Sequence, residues 1–203
     1  LTMEDIVRFP SVSRIHFIEC PANGGMEWRA AQLNSLQFNH GMVSCAEWTG
    51  VKLSTLLEEV GLKKEARWVM VEGADGAHMN RSLPLEKCLD DCLVVYAQNG
   101  EALRPEQGYP LRLLVPGWEG NVSIKWLRRI KLGEKPWYSR EETSKYTDLM
   151  PDGTSRGFTW LMDAKSAGWR GLVAARSSAS MSRWTAASTG RPRNCTNRYC
   201  RRR

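Results

Sequence analysis

The sequence lacks any apolar stretch long enough to span a membrane, and its N-terminus lacks the apolar core of a secretory signal. The glycine patterns of the Rossmann and P-loop nucleotide-binding motifs are also missing. Residue 1 is leucine rather than methionine. We therefore expect an N-terminally truncated fragment without a membrane span, whose preceding segment could have carried an export signal.

Histidine is scarce, and the cysteines are poorly spaced for zinc. The six cysteines are Cys20, Cys45, Cys88, Cys92, Cys195 and Cys200. Neither the C-x3-C pair nor the C-x4-C pair has a strong zinc spacing, and the three histidines are scattered along the chain. Cys88 and Cys92 are instead predicted to lie on one face of a short helix as small apolar residues.

Acidic residues are absent from residues 167–203, which contain nine arginines and no lysine. Without these nine, 20 of the 29 basic residues remain in residues 1–166, against 22 acidic residues. The net charge of +7 therefore comes from the tail alone. The tail fits neither helix nor strand periodicity, and we expect it to be disordered. A nucleic-acid-binding protein acting through this tail is one alternative, although an arginine run alone is weak evidence.

The remainder of the chain alternates short strands with short helices. Strands are predicted at residues 14–20, 43–48, 67–73, 93–97 and 111–115. Helices are predicted at residues 53–61, ending at a glycine, and 84–91, beginning at a proline. Strands and helices in this order indicate an α+β domain.

The segment 108–132, GYPLRLLVPGWEGNVSIKWLRRIKL, combines a glycine loop with two cations. Residues 111–115 and 122–132 are predicted strands, the second with a period of two. Arg112 lies in the first strand and Lys125 in the second. Backbone N–H groups of such a loop, together with the cations, can bind a phosphate. The alternative is an ordinary hairpin with solvated basic residues.

Cys20 follows the first predicted strand and precedes the loop Pro-Ala-Asn-Gly-Gly. An open position at the end of a strand suits a thiolate that acts as a metal ligand or a nucleophile. The alternative is a buried structural cysteine, which is the commoner role of a free cysteine.

Five stretches resemble the sulfite oxidase family, whose catalytic domain holds a molybdenum–pterin cofactor. They are HFIECPANGGMEWR, HGMVSCAEWTGVKL, VEGADG, VVYAQNGEALRPEQGYPLRLLVPGWEGNVSIKWLRRIKL and FTWLMDAKS. Within the family, their order and spacing are most similar to the molybdenum subunits of Sox-type sulfane (sulfite) dehydrogenases. The resemblance implies a mixed-sheet α+β molybdopterin-binding domain.

The resemblance also implies roles for individual residues. Cys20 matches the cysteine that binds molybdenum, where soft sulfur ligation is needed, and Tyr96 matches a tyrosine of the substrate pocket. The residues that match pterin- and phosphate-binding positions are Asp75, Arg112, Ser123, Ile124 and Lys125. Gln107 stands where animal sulfite oxidases have a pterin-contacting histidine and is expected to keep a polar but uncharged contact with the cofactor. Gly24-Gly25 replaces an arginine pair of those enzymes. Loss of those cations is expected to weaken capture of free sulfite and to admit a bulkier substrate.

The implied activity is molybdenum-dependent oxidation of a reduced sulfur compound by oxygen-atom transfer, with electrons passed to a c-type cytochrome subunit. The substrate is either sulfane sulfur on a sulfur-carrier protein or sulfite, and the implied location is the periplasm. An inactive fragment of such an enzyme is the alternative, because the family's pterin site also uses a segment upstream of residue 1.

We expect three regions: a partial catalytic domain at 1–132, a connector at 133–166 and the tail at 167–203. The tail is predicted to be a frame-shifted translation, because residues 181–187 can be encoded so that reading two bases later gives Val-Ser-Val-Asp-Gly-Gly, a strand and turn. The shifted frame resembles the immunoglobulin-like dimerisation domain of the family. We therefore expect that homodimerisation is lost and that no nucleic acid is bound.

Overall fold

A computed structural model describes residues 1–24 and 35–157 of the chain. The predictions made for the tail at 167–203, namely disorder, the frame shift, the lost dimer interface and the nucleic-acid alternative, lie outside the described residues. Gly25 and the stretch FTWLMDAKS also lie outside them. No helix in the described part has both the length and the apolar composition needed to cross a membrane.

Short helices and strands alternate along these residues. The helices are α1 (Met3–Ile6), α2 (Leu36–His40), α3 (Leu53–Val60), α4 (Leu85–Asp90) and α5 (Arg140–Ser144). The strands are β1 (Ser11–Glu19), β2 (Val43–Lys52), β3 (Trp68–Gly73), β4 (Asn80–Pro84), β5 (Leu93–Gln98), β6 (Glu101–Ala102), β7 (Arg112–Leu114), β8 (Leu127–Gly133), β9 (Thr147–Leu149) and β10 (Ser155–Gly157). Two 3-10 turns cover Pro105–Gln107 and Gly120–Val122.

The strands form three sheets. The first has the order β1-β2-β5-β6, with β7 also paired to β5; the second has the order β4-β3-β8; and β9 pairs with β10. All pairs between described strands are antiparallel. The predicted α+β class is confirmed. The segment predicted as a connector carries α5 and the β9–β10 hairpin.

One apolar cluster joins the first and second sheets and the helices beside them. It includes Val51, Val94 and Leu113 of the first sheet, Val69, Val71 and Leu83 of the second, and Leu53, Leu56 and Leu57 of α3. Burying each such side chain contributes about 1.5–3 kcal/mol. The two sheets are therefore held at a fixed separation, which matters because the candidate site takes residues from both.

Cys88 and Cys92 are both fully buried in this cluster. Their prediction as small apolar core residues agrees with the structure, but Cys92 lies beyond the end of α4, so the shared helix face is wrong. The Cys92 thiol donates to Lys87 O at 3.3 Å. Its hydrogen bond with Cys88 and its burial raise the pKa of the Cys92 thiol, which keeps it neutral.

The predicted hairpin at 108–132 is wrong, because its two strands belong to different sheets. β7 pairs with β5, whereas β8 pairs with β3. Two backbone hydrogen bonds of 2.8 Å, Leu113 N to Ile124 O and Leu127 N to Leu111 O, join the two halves. Between the Gly120–Val122 turn and β8 the backbone is irregular, and Trp126 has a φ of +50°. The period-two pattern therefore describes a strand only from Leu127 onward.

Helix α5 is anchored to β4 by buried polar contacts. Arg81 and Glu142 form an ion pair of 3.3 Å with side chains 0% and 4% exposed. Glu142 also accepts the Ser82 N–H at 2.7 Å, and the Ser82 hydroxyl bonds to the backbone N and O of Trp137. The segment leading into α5 is therefore part of the folded unit.

Replacing Glu142 with alanine should leave Arg81 buried without this carboxylate. We expect Glu142→Ala to lower the free energy of unfolding by about 3–5 kcal/mol, measured by urea denaturation followed through tryptophan fluorescence. Glu59→Ala, on the exposed end of α3, is the matched control and should change it by less than about 0.5 kcal/mol. Equal effects of the two variants would contradict the anchoring role.

Candidate functional site

A cavity of about 420 Å³ is lined by the first sheet, the β3–β4 loop and the segment 107–126. Its lining residues are Ile18, Ser44, Trp48, Asp75, Met79, Gln107, Arg112, Gly120, Asn121, Ser123, Ile124, Lys125 and Trp126. This volume falls within the range of about 300–1,000 Å³ that is typical of small-molecule sites. The mixture of apolar walls and a few polar groups is also typical of such sites.

All six residues predicted to contact a pterin cofactor lie on this cavity. They are Asp75, Gln107, Arg112, Ser123, Ile124 and Lys125. The loop between β3 and β4 brings Asp75 to the site, β7 brings Arg112, and the irregular segment before β8 brings the last three. Cys20 and Tyr96 are not among the lining residues.

Arg112 is a buried cation that has no counter-charge within residues 1–24 and 35–157. Its side chain is held by Gln107 O at 3.0 Å and Ser123 O at 3.1 Å, and its guanidinium lies 4.9 Å above the Trp48 ring. The residue is 3% exposed, its Nε has no acceptor, and no carboxylate within residues 1–24 and 35–157 pairs with it. Burial lowers the pKa of Arg112 to about 10. The alternative of solvated basic residues is therefore wrong for Arg112.

Lys125 supplies a second cation to the cavity. Its Nζ donates to Glu106 O at 2.6 Å. Burial lowers the pKa of Lys125, and the nearby charge of Arg112 adds to the effect. Gly108 makes this arrangement possible, because a Cβ at Gly108 would lie 2.9 Å from the Lys125 Cβ and its φ is +108°. Two cations at one wall would attract an anionic ligand.

Asp75 shapes the β3–β4 loop. Its Oδ1 accepts the Met79 N–H at 3.0 Å and its Oδ2 accepts the Ala77 N–H at 3.1 Å. These bonds fold the loop over its own side chain, as aspartate commonly does in turns. Asp75 therefore positions this wall of the cavity.

Cys20 lies at the end of β1 and is exposed. Its N–H donates to Met42 O at 2.9 Å, and its carbonyl accepts the Asn23 N–H at 3.0 Å. Exposure contradicts the alternative of a buried structural cysteine. Cys20 is adjacent to the cavity wall, because a Cβ at Gly120 would lie 3.0 Å from Glu19 O.

Asn23 holds the loop that follows Cys20. Its Nδ2 donates to Glu19 Oε1 at 2.8 Å, and its Oδ1 accepts the Met42 N–H at 3.1 Å. These two bonds tie Asn23 to Glu19, which precedes Cys20, and to Met42, whose carbonyl accepts the Cys20 N–H. The sequence placed Asn23 in a turn, but it did not predict these two side-chain hydrogen bonds.

Tyr96 lies in a bulge of β5. Val95 pairs with Gly50 and Ala97 pairs with Thr49, so Tyr96 is the extra residue. Val95 also pairs with Arg112 of β7. Bulges re-aim side chains and are common beside active sites. Tyr96 is partly buried against the core cluster, and it directly follows Val95, the residue that pairs with Arg112.

Sequence reasoning missed Trp48, Met79, Asn121 and Trp126 as cavity residues. Apolar Ala46 and Trp48 alternate with polar Glu47 and Thr49, a period-two signal that could have placed Trp48 on the inner face. The other three lie in loops, where no periodic signal exists.

The sequence model of the oxidoreductase molybdopterin binding domain matches residues 1–141. A nitrate reductase [NADH] of Ulva prolifera is 35% identical over 157 residues, covering 68% of this chain and 18% of that protein. The mitochondrial sulfite oxidase of Drosophila melanogaster is 33% identical over 160 residues, covering 74% of this chain and 28% of that protein. The chain thus spans less than a third of the length of these relatives.

The crystal structure of the sulfane dehydrogenase SoxCD from Paracoccus pantotrophus is also similar, with 54% sequence identity and a TM-score of 0.74. The match covers 78% of this chain and 41% of that one. The family model, the relatives and this structure agree. The chain belongs to the sulfite oxidase family of molybdopterin-binding oxidoreductases and is similar to the sulfane dehydrogenase SoxCD.

Proposed function

We propose that this chain is the pterin-binding part of a molybdenum enzyme that oxidises a reduced sulfur compound, and that Arg112 binds the phosphate of the cofactor. One observation carries the proposal: a guanidinium that is 3% exposed lies in the cavity without a carboxylate partner among the described residues. Similarity to sulfite oxidases and to a sulfane dehydrogenase supports the same reaction class.

Burying an unpaired charge is costly unless hydrogen bonds and a counter-ion compensate. Two backbone carbonyls and the Trp48 face satisfy part of the Arg112 guanidinium, but neither carries a negative charge. A phosphate would supply the negative charge and also an acceptor for the Nε, which has none among the described residues. Lys125 would share that charge as the second cation of the wall.

The remaining residues fit the uncharged part of a pterin. Ser123 Oγ accepts the Val115 N–H at 3.1 Å, so its hydroxyl hydrogen can be donated to a ligand. Gln107 contributes an uncharged amide side chain, and Ile124 an apolar surface. Asp75 would contribute indirectly, because its hydrogen bond from Met79 N–H holds the β3–β4 loop in the conformation that lines the cavity.

Cys20 would be the protein ligand of molybdenum. Within the described ranges, no group of three or more His, Cys, Asp or Glu side chains could hold a metal ion. A single exposed thiolate suits a metal whose other ligands come from its own cofactor. When bound, that cofactor would supply two-electron oxygen-atom transfer to a substrate sulfur.

We propose sulfane sulfur on a carrier protein as the substrate, with sulfite as the alternative. Gly24 has no side chain beyond its backbone, and its φ of +77° favours glycine. An exposed Cys20 beside small residues leaves room for a protein-borne sulfur group. Sequence identity of 54% to a sulfane dehydrogenase supports this choice. A c-type cytochrome as electron acceptor and a periplasmic location belong to the same proposal.

Cys20→Ser should abolish oxidation of sulfur substrate by the cofactor-loaded chain without changing its fold, because a hydroxyl is a harder and poorer ligand of similar volume. Cys45→Ser, another exposed cysteine on β2, is the matched control and should keep wild-type activity. Turnover would be measured alongside circular dichroism. Wild-type turnover of Cys20→Ser would refute the ligand role.

Arg112→Met should lower cofactor content, since each lost charge-assisted hydrogen bond costs about 1.5–3 kcal/mol. Lys125→Met should act in the same direction. The control is Arg104→Met, whose side chain is 71% exposed in a pair with Glu101. Molybdenum and pterin per chain would be measured after expression with cofactor-maturation enzymes. Unchanged content in both cavity variants would falsify the phosphate site.

Tyr96→Phe should keep the cofactor but slow the reaction, because the substitution removes a hydroxyl while retaining the aromatic ring. The bulge at Tyr96 is formed by backbone pairing and should survive. Comparing turnover with molybdenum content separates the two effects. Loss of cofactor in proportion to activity would assign Tyr96 to cofactor binding instead.

A further inference from the structure

Asn121 lies on the cavity wall between Gly120 and the predicted phosphate-binding residues. Its Nδ2 donates to Glu119 Oε2 at 2.6 Å. An ionised carboxylate only accepts hydrogen bonds, so the bond determines which end of the amide is nitrogen. The Asn121 side chain is therefore held in one orientation, with its oxygen turned away from Glu119.

The Asn121 Oδ1 is buried and has no hydrogen-bond donor in the part of the chain that the structure describes. A buried acceptor left without a donor is destabilising, and most such atoms in proteins have a partner. Because Asn121 lines the cavity, a ligand bound there could supply the donor that this buried oxygen does not find among the described residues.

Glu119 is suited to hold this amide because it is itself buried, at 7% exposure. Its negative charge acts on Arg81, where it opposes the lowering of the Arg81 pKa by burial. The neighbouring Gly120 packs tightly against β1, since a Cβ there would lie 2.9 Å from Ile18 Cγ2. Glu119 and Asn121 thus lie on a rigid turn beside the strand that carries Cys20.

We propose that Asn121 is a further cofactor-binding residue, whose amide oxygen accepts an N–H of the pterin, and that Glu119 is the positioning residue that orients this amide. This inference rests on the proposed function. A phosphate presents acceptor oxygens, which Arg112 and Lys125 match, whereas a pterin ring presents N–H donors along its edge. The cations and the amide would therefore hold different parts of one ligand.

Asn121→Ala and Asn121→Asp test the amide oxygen. Alanine removes the acceptor, and aspartate places a second carboxylate against Glu119. Chains of residues 1–203 would be loaded with cofactor by maturation enzymes and dialysed, and molybdenum and pterin per chain would be measured over time. Both variants should lose cofactor about five- to tenfold faster than wild type, as expected for one hydrogen bond. Asn99→Asp, in the β5–β6 turn, makes the same chemical change and should have no effect.

Glu119→Gln tests the positioning role. It removes the charge that fixes the amide and should speed cofactor loss in the wild-type background. In the Asn121→Ala background the same change should have no further effect on cofactor loss, whereas a merely structural role for Glu119 would persist there. Thermal unfolding of the cofactor-free variants would report any loss of stability separately. Additive effects on cofactor loss would overturn the positioning role.

Arg112→Met separates this inference from the proposed function. Rapid loss from Arg112→Met with wild-type retention by both Asn121 variants would overturn the role of Asn121 and leave the proposed function standing. Wild-type retention by all three variants, or no cofactor in the wild-type chain, would overturn both.

Discussion

A buried guanidinium that finds no counter-charge in the described part of the chain is the constraint on which the site depends. Arg112 reaches its position on β7 through the pairing of β7 with β5, and it is held there by backbone oxygens of Gln107 and Ser123. The Trp48 ring closes the other side. Four separate parts of the chain therefore enclose one positive charge. Desolvating this charge costs free energy. The buried charge is therefore stable only if other contacts of the fold, or a bound ligand, offset that cost.

The backbone that follows Arg112 is irregular along the cavity, where a ligand would need free polar groups. The chain leaves the first sheet after β7 and enters the second at β8, and the residues between them form neither strand nor helix apart from the Gly120–Val122 turn. Irregular backbone leaves polar groups outside sheet ladders, where they can meet a ligand. Close contacts of Gly108 with Lys125, and of Gly120 with β1, hold this irregular stretch in place. The apolar cluster between the sheets keeps its two ends apart.

Local sequence patterns predicted the elements better than their assembly. Alternation and turn residues placed most strands within a few positions, as for β3 and β5, and a proline marked the start of α4. They could not assign β7 and β8 to different sheets, because period two describes a strand without naming its partner. They also could not show that Arg112 is buried, since a cation within a short strand is usually solvated. The bulge at Tyr96 depends on pairing with β2, which no local pattern encodes.

Membership of the site was predicted by resemblance rather than by spacing, and the reason is physical. The β3–β4 loop and the segment before β8 lie far apart in sequence, and they meet because β3 pairs with β8. The charged residues of the cavity and the exposed thiol beside it occupy different positions. Arg112 is buried in the cavity wall and Lys125 is half-buried beside it, whereas Cys20 lies exposed at the end of β1. Under the proposed function, Arg112 and Lys125 would bind the cofactor at its phosphate end, where water is excluded. The metal end could then meet a large, protein-borne substrate without loss of cofactor binding. Under the proposed function, such a division would allow small residues to follow Cys20 although the wall that holds Arg112 and Lys125 is charged.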